Sequence, residues 1–177
     1  MICIQESKLK PDQKPPELSE YAVECESRDR LGGGVLTYIK ETRKFSRLTT
    51  LEQRDEAQMI KIKLHVQPKK SITISNLYIT PKELPVDQDD AIVTQYIQEA
   101  MQDNAIVLAD ANAHSESWYE HDETDHRGNT IEQIIEQSDS IIACKMPILK
   151  RKIKGTILFQ YSPVPNIRPW SLNFLEV

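Results

Sequence analysis

Cysteine is scarce in this sequence of 177 residues, which contains three copies, at positions 3, 25 and 144. The number is odd, the positions are far apart and no CxxC pair occurs, so we expect free thiols in a reducing compartment. The sequence also lacks an apolar run long enough to span a membrane, and no basic segment precedes the apolar one at its start. These absences predict an intracellular protein that is neither secreted nor embedded in a membrane.

An excess of positive charge is also absent, because the net charge is −5. The overall charge therefore neither favours nor excludes a nucleic-acid partner, for which only a local basic patch would matter. The charge is unevenly distributed: residues 140–177 hold six Lys or Arg and one acid, a net charge of +5, whereas residues 1–139 carry −10. We predict one domain at residues 1–139, long enough for a hydrophobic core, and a divergent basic tail at residues 140–177.

Alternation of apolar and polar side chains predicts several strands. Residues 57–66 have the period-two pattern of a half-buried strand. Residues 71–79 follow a short turn and predict the returning strand of a hairpin. The alternation slips near Ser75 and Asn76, where we expect a β-bulge. Further short strands are predicted within residues 1–6, 31–40 and 105–110.

Two segments have the apolar spacing of amphipathic helices. The first covers about residues 88–102, with Asp87 as its candidate N-cap, and the second covers residues 129–139. Strands and helices are mixed along the chain, and the hairpin precedes both helices. This order predicts an α+β fold with layered sheets.

Polar side chains that suit phosphate and metal chemistry follow three of the predicted strands. Asp110 and Asn112 stand two residues apart and point the same way while the strand geometry lasts. The carboxylate can accept a proton from an attacking water, and the amide can donate to the water or to a phosphate oxygen. Glu6 ends the first strand and could hold Mg²⁺, which needs few protein ligands. Tyr78 could offer its phenol to a phosphate oxygen, and Asn76 lies on the same face.

Each of these residues also has a plain structural interpretation. Glu6 alone would be a solvated strand end. Asp110 and Asn112 could form an Asx turn after the strand. Tyr78 could be an ordinary sheet residue, because tyrosine favours strands.

Other conspicuous residues fit known sites less well. The histidines and acids of residues 114–126 match no zinc-binding spacing, and three glycines at 32–34 lack the Lys-Ser/Thr of a phosphate-binding loop. Trp118 could pack in the core or stack on a base. The basic cluster at residues 150–154 could be a solvated face or could contact phosphates.

Five blocks occur in an order that resembles the endonuclease/exonuclease/phosphatase family, and more narrowly the apurinic-type endonuclease domain of non-LTR retrotransposons. The blocks are IQES, GGGVLTYIK, ISNLYITP, VLADANAH and WYEHDETDHRGNTIEQII. The family pattern has Q-E, N-x-Y and G-D-x-N-A-H near strand ends, and the retroelement branch adds a tryptophan and then R-G at a helix start. Trp118, Arg127 and Gly128 match that addition. The resemblance covers about residues 1–139.

The resemblance implies a four-layer α/β sandwich, in which two packed, mainly antiparallel sheets are flanked by helices. It implies hydrolysis of a DNA phosphodiester bond with Mg²⁺ or Mn²⁺, so that the enzyme nicks its target DNA, and a nuclear location. Glu6 would be the metal ligand, and Asp110 would orient or deprotonate the water. Asn112 would hold the phosphate or that water, and Tyr78 would stabilise the phosphate.

Three more residues receive roles on the substrate side by the same resemblance. Asn76 would support the hydrogen bonding of the site, and His114 and Arg127 would lie on the rim that faces DNA. Ala109 replaces the usual glycine before the aspartate, and Pro81 stands one place later than usual.

The later part of the family pattern is missing. No Asp or His follows Asp139, although the family has a late aspartate and a terminal Ser-Asp-His, and its first strand should precede Glu6. We therefore expect a fold incomplete at both ends and an impaired endonuclease. The alternative is a catalytically inactive retroelement remnant or a weak DNA-binding module. A calcineurin-like metallophosphoesterase is not supported, because its D-x-H and N-H-D/E motifs are absent.

Overall fold

The computed structural model describes residues 1–28, 32–81, 84–118, 123–138 and 140–142, together with the strand backbones at 156–159 and 171–174. These residues form two β-sheets and two α-helices. The strands of the first sheet are β1 (Ile2–Gln5), β2 (Tyr21–Glu26), β3 (Val35–Lys40) and β10 (Ser171–Phe174). They lie in the order β10-β1-β3-β2, and every neighbouring pair is antiparallel.

The second sheet is mixed. Its strands are β4 (Lys44–Arg47), β5 (Ala57–Gln67), β6 (Lys70–Ile79), β7 (Ile106–Asp110), β8 (Ile141–Ile142) and β9 (Thr156–Phe159). The order is β4-β5-β6-β7-β9-β8. The pairs from β4 to β6 are antiparallel, whereas β7 runs parallel to β6 and to β9.

The predicted hairpin of β5 and β6 is confirmed, but the predicted bulge is wrong. Ser75 and Asn76 pair regularly with Lys61 and Ile60, and the register shifts instead between His65 and Gln67. The hydrophobic period slips because polar side chains are buried there and form hydrogen bonds. The Ser75 hydroxyl, for example, donates to the Ala100 carbonyl at 2.8 Å.

The helices are α1 (Val86–Met101) and α2 (His126–Glu136). Both begin earlier than predicted. Pro85 takes the N-cap position of α1, so Asp87 lies in the first turn instead of capping it. Asp125 caps α2, because its carboxylate accepts a hydrogen bond from the Gly128 amide at 2.6 Å. Neither helix of the described residues has the length and apolar composition needed to cross a membrane.

The α+β sandwich predicted from the sequence is confirmed. One buried cluster joins the two sheets face to face and includes Cys3, Ile39 and Leu108. A second, larger cluster joins both helices to the outer face of the second sheet. The outer face of the first sheet is covered by the proline-rich loop after β1, where the Tyr38 hydroxyl donates to the Pro16 carbonyl at 2.8 Å.

Strand β5 is not half-buried over its whole length, as the alternation predicted. From Ala57 to Ile62 both faces are buried, because α1 covers the face that should have been solvated. Lys61 is therefore only 1% exposed. Its Nζ donates to the Glu99 carbonyl at 2.9 Å and lies 3.6 Å from the Asp103 carboxylate, at the end of α1 where helix carbonyls carry partial negative charge.

Replacing Lys61 with methionine is expected to lower the free energy of unfolding by about 1–2 kcal/mol, because the buried Glu99 carbonyl loses its donor. Urea denaturation measures this change. Lys63→Met is the matched control, since Lys63 is exposed on the same strand and should change stability by less than about 0.5 kcal/mol. Equal effects of the two substitutions would contradict the structural role of Lys61.

Some sequence predictions fall outside the described residues. These are the basic cluster at 150–154, His121 and Cys144. The two described cysteines, Cys3 and Cys25, are free thiols, as predicted. Within the predicted tail, β9 pairs with β7 and β10 pairs with β1. The domain boundary at residue 139 stays a prediction.

Candidate active site

Three of the predicted site residues meet at one end of the interface between the sheets. Glu6 directly follows β1 of the first sheet, while Tyr78 and Asp110 are register partners on β6 and β7 of the second. Burial is the main cause that raises the pKa of the Tyr78 phenol and of Asp110; both carboxylates raise the pKa of Tyr78 further, and Glu6 further raises that of Asp110, as expected for groups that share one site. The structure therefore brings the ends of three separate strands together.

Asn76 links the two sheets directly beneath this site. It is fully buried, and its Oδ1 accepts a hydrogen bond from Gln5 Nε2 at 2.6 Å. Its amide donates to the Leu36 carbonyl at 2.8 Å and to the Thr37 hydroxyl at 3.1 Å. Because Gln5 precedes Glu6, Asn76 fixes the end of β1 from within the core, where its side-chain oxygen and nitrogen are both engaged.

Asp110 has the environment of a proton acceptor that works near neutral pH. Burial raises the pKa of its carboxyl group from 3.8 to about 6, and this effect outweighs the hydrogen bond from the Asn112 amide, which lowers the pKa. The backbone nitrogen of Asn112 lies 3.3 Å from Asp110 Oδ1. This hydrogen bond is the Asx-turn contact that the sequence offered as an alternative. The Asx turn does not exclude a catalytic role, because its hydrogen bond holds the Asp110 carboxylate in place at the site.

Asn112 is held in a left-handed backbone conformation, with φ of 47°. Its Nδ2 donates to the Ile79 carbonyl at 2.8 Å, which connects the loop after β7 to the end of β6. A side-chain hydrogen bond with Asn112 also lowers the pKa of Tyr78. The amide thus lies between the two strand ends and next to the phenol.

Tyr78 is 3% exposed and stays protonated. Burial is the main cause that raises its pKa, followed by the carboxylates of Glu6 and Asp110, while the Arg28 guanidinium lowers it. A protonated phenol beside two carboxylates can donate a hydrogen bond to an oxygen of a bound phosphate. Arg28 was not found by the sequence analysis, because a single arginine after a strand forms no motif.

The glycines at 32–34 form a wall of the site rather than a simple turn. All three have positive φ, and the Gly33 and Gly34 carbonyls accept hydrogen bonds from the Lys8 and Ser7 amides. The Gly34 amide donates to Gln58 Oε1 at 3.0 Å. The backbone therefore packs closely against the residues that follow Glu6. In the sequence, three glycines directly before a strand are the pattern that could have indicated this close approach of two backbone segments.

Arg127 does not lie on an exposed rim, as expected from the sequence, because its side chain is 3% exposed. Its Nε donates to the Asp89 carboxylate at 3.0 Å, and its Nη1 donates to the carbonyls of Thr80 and Ala111 at 2.8 and 2.7 Å. The guanidinium therefore holds the loops that follow β6 and β7 against α1. Asp89, its buried partner, was missed because nothing in a helix sequence marks so distant a pairing.

His114 lies at the base of the loop after β7 and is partly buried. Its backbone carbonyl would be 1.9 Å from a Cβ at Gly128, so only glycine fits at that place in α2. Trp118 is 6% exposed and belongs to the helix-facing core cluster, which agrees with packing rather than stacking on a base.

Among the described residues, the site shows no cluster of three or more metal ligands. In the part of the chain that the structure describes, no group of three or more His, Cys, Asp or Glu side chains could hold a metal ion by itself. Mg²⁺, however, keeps several of its waters and is commonly bound through one or two carboxylates and substrate phosphates. Glu6 and Asp110 are two carboxylates whose charges both affect the Tyr78 phenol, and they match this set of Mg²⁺ ligands.

Part of the chain matches a known protein family. A family model described as endonuclease-reverse transcriptase matches residues 72–156. The match supports the resemblance to the endonuclease/exonuclease/phosphatase family that the sequence predicts. No curated protein matches it significantly. The matched segment contains Tyr78, Asp110 and Asn112, whereas Glu6 lies before it and is connected to the site by the fold alone.

The match supports a retroelement endonuclease-like function, for which the substrate is a nucleic acid. Endonucleases of the endonuclease/exonuclease/phosphatase family generally use a divalent metal ion. The matched segment also extends beyond residue 139, to residue 156.

Proposed function

We propose that this chain is a Mg²⁺-dependent DNA endonuclease domain of a retroelement, which hydrolyses a phosphodiester bond and nicks its target. The observation that carries the proposal is the meeting of Glu6 with Tyr78 and Asp110 at one end of the sheet interface. A buried general base, a protonated donor and a partly exposed carboxylate are groups that metal-assisted attack of water on a phosphate can use.

Each residue has a distinct task in this proposal. Glu6 would hold Mg²⁺, or Mn²⁺ in its place, with Asp110 nearby, and the bound cation would neutralise phosphate charge. Asp110 accepts a proton from the attacking water, because a pKa of about 6 leaves it ionised at neutral pH. Tyr78 donates to a phosphate oxygen, and Asn112 holds the strand ends in place.

Residues 140–177 contain no Asp and no His. The late aspartate and the Ser-Asp-His of the family pattern are therefore not supplied there. Loss of one positioned donor to a transition-state oxyanion typically lowers the rate about 10²–10³-fold. This observation favours the second candidate function, a catalytically inactive retroelement remnant or a module that binds DNA weakly.

A plasmid-nicking assay distinguishes the two candidates. Supercoiled plasmid with Mg²⁺ should be nicked by the unchanged protein, and EDTA should stop the reaction. Glu6→Ala and Asp110→Ala should each lower nicking about 10²-fold or more, because metal binding or proton transfer is lost. Glu41→Ala is the control, since Glu41 is exposed in the turn after β3, at the opposite end of the sheet. Equal background with all four proteins would support the inactive remnant.

A further inference from the structure

Arg28 lies at the edge of the proposed site, two residues after β2. It is partly buried, and its Nη1 donates to the Asp55 carbonyl at 2.7 Å. The same carbonyl accepts a hydrogen bond from Gln58 Nε2 at 3.1 Å. Gln58 is the register partner of Tyr78, so both side chains lie on the same face of neighbouring strands. The shared carbonyl therefore places the guanidinium beside Tyr78.

Gly33 provides the space that Arg28 occupies. A Cβ at Gly33 would lie 2.6 Å from Arg28 Cδ and 3.1 Å from its Nε, and the φ of +77° disfavours any side chain. A Cβ at the neighbouring Gly32 would lie 3.8 Å from Glu6 Oε1. Gly33 therefore lies against Arg28, and Gly32 lies near Glu6. The absence of side chains at these two glycines leaves room for Arg28 and Glu6 at the site.

The site contains two carboxylates, and one of them, Glu6, pairs with the exposed Lys8 ammonium at 3.5 Å. Glu6 and Asp110 are both acidic, and DNA approaches them with further negative charge. Arg127 is also close to Asp110, but its Nε, Nη1 and Nη2 all bond to Asp89 or to backbone carbonyls within the core. Arg28 is more accessible, and the effect of its charge on the pKa of Tyr78 agrees with its position. A guanidinium binds phosphate oxygens with good geometry.

We propose that Arg28 binds a DNA phosphate next to Tyr78, held in place by the Asp55 carbonyl and by the absence of a side chain at Gly33. The inference rests on the function proposed above and assigns to that site its contact with the nucleic-acid backbone. Such a contact attracts any DNA sequence equally, since phosphates carry no sequence information.

The test is DNA binding without catalysis. Fluorescence anisotropy of a labelled duplex oligonucleotide is measured in EDTA over a range of salt concentrations. Arg28→Gln keeps a donor for the Asp55 carbonyl but removes the charge, and it should weaken binding about tenfold. The slope of log K against log salt should decrease in magnitude by about 0.9, as for one lost phosphate contact. Arg28→Lys should keep the slope.

Arg43→Gln is the matched control, because Arg43 is an exposed arginine in the turn after β3, away from the site. A set of duplexes with one neutral methylphosphonate each adds a second readout. At the phosphate that Arg28 contacts, the neutral linkage should weaken DNA binding by the unchanged protein. The same linkage should not weaken DNA binding by Arg28→Gln any further. A residue that merely supports the fold would not show this position dependence.

The outcomes separate the two proposals. If the unchanged protein binds and nicks DNA while Arg28→Gln and Arg43→Gln behave alike, the role of Arg28 is overturned and the endonuclease function stands. A slope that falls equally in Arg28→Lys and Arg28→Gln also overturns it. If the unchanged protein neither binds nor nicks DNA, the endonuclease function and the role of Arg28 are both overturned.

Discussion

Asp110→Asn is expected to lower nicking about 10²–10³-fold and at the same time to raise the free energy of unfolding at pH 8. The loss of nicking follows because an amide cannot accept the proton of the attacking water. The gain in stability follows because the substitution removes a charge that burial disfavours, as the raised pKa of Asp110 shows. A residue that activity requires and stability disfavours is typical of a functional site.

The sign of the pH dependence follows from the folded-state pKa of Asp110, about 6, against the ordinary 3.8. Below pH 4 the carboxyl group is protonated in both the folded and the unfolded chain, so it contributes no difference. Above pH 6 it is ionised in both, and the folded chain bears the cost of the buried charge. Stability due to Asp110 is thus lost as pH rises from about 4 to about 6.

Urea denaturation in EDTA at pH 4 and pH 8 measures this effect. Asp110→Asn should gain about 1–3 kcal/mol at pH 8 and much less at pH 4. Asp12→Asn, at an exposed loop position, should change stability by less than about 0.5 kcal/mol at both pH values. A gain of the same size at both pH values, or a loss at pH 8, would show that Asp110 is not disfavoured in the folded chain.

Arg127→Met should have the largest effect on stability, a loss of about 3–5 kcal/mol of unfolding free energy. The substitution leaves the Asp89 carboxylate buried without its ion-pair partner, since Asp89 is 4% exposed. It also removes the donor that the Thr80 and Ala111 carbonyls share. Urea denaturation of Arg127→Met, Asp89→Asn and the double variant completes a thermodynamic cycle.

The double variant should be more stable than Arg127→Met alone, because neutral asparagine removes the unpaired charge. Arg47→Met is the control, since Arg47 pairs with Glu24 and Glu26 with 35% of its side chain exposed. It should cost less than about 1 kcal/mol. Similar costs for Arg127→Met and Arg47→Met, or additive losses in the cycle, would contradict a buried structural pair.

The sequence predicted the elements that local pattern determines. The β5–β6 hairpin follows from alternation, whereas the meeting of Glu6, Tyr78 and Asp110 was implied by the family resemblance. Which polar side chains are buried depends instead on packing between residues far apart in the sequence. Lys61 lies on the polar face of its strand, yet α1 covers that face. Arg127 was expected on a rim, yet Asp89, 38 positions earlier, draws it into the core.

The parts of the site that sequence could not supply are contacts between loops. Nothing near Arg28 indicates that its guanidinium reaches the Asp55 carbonyl, 27 positions later, because that contact arises from how the first sheet lies on the second. The support from Gln5 to Asn76 likewise joins residues 71 positions apart. Such contacts become visible only once the two sheets are packed against each other.

The linkage of Gln5 to Asn76 has a consequence for how the molecule would lose activity. Glu6 belongs to one sheet and Asp110 to the other, so no single loop sets the spacing of the two carboxylates. A slight sliding of one sheet over the other would separate them while every strand stayed intact. Mild heat or denaturant is therefore expected to abolish the proposed nicking activity while the secondary structure is still complete.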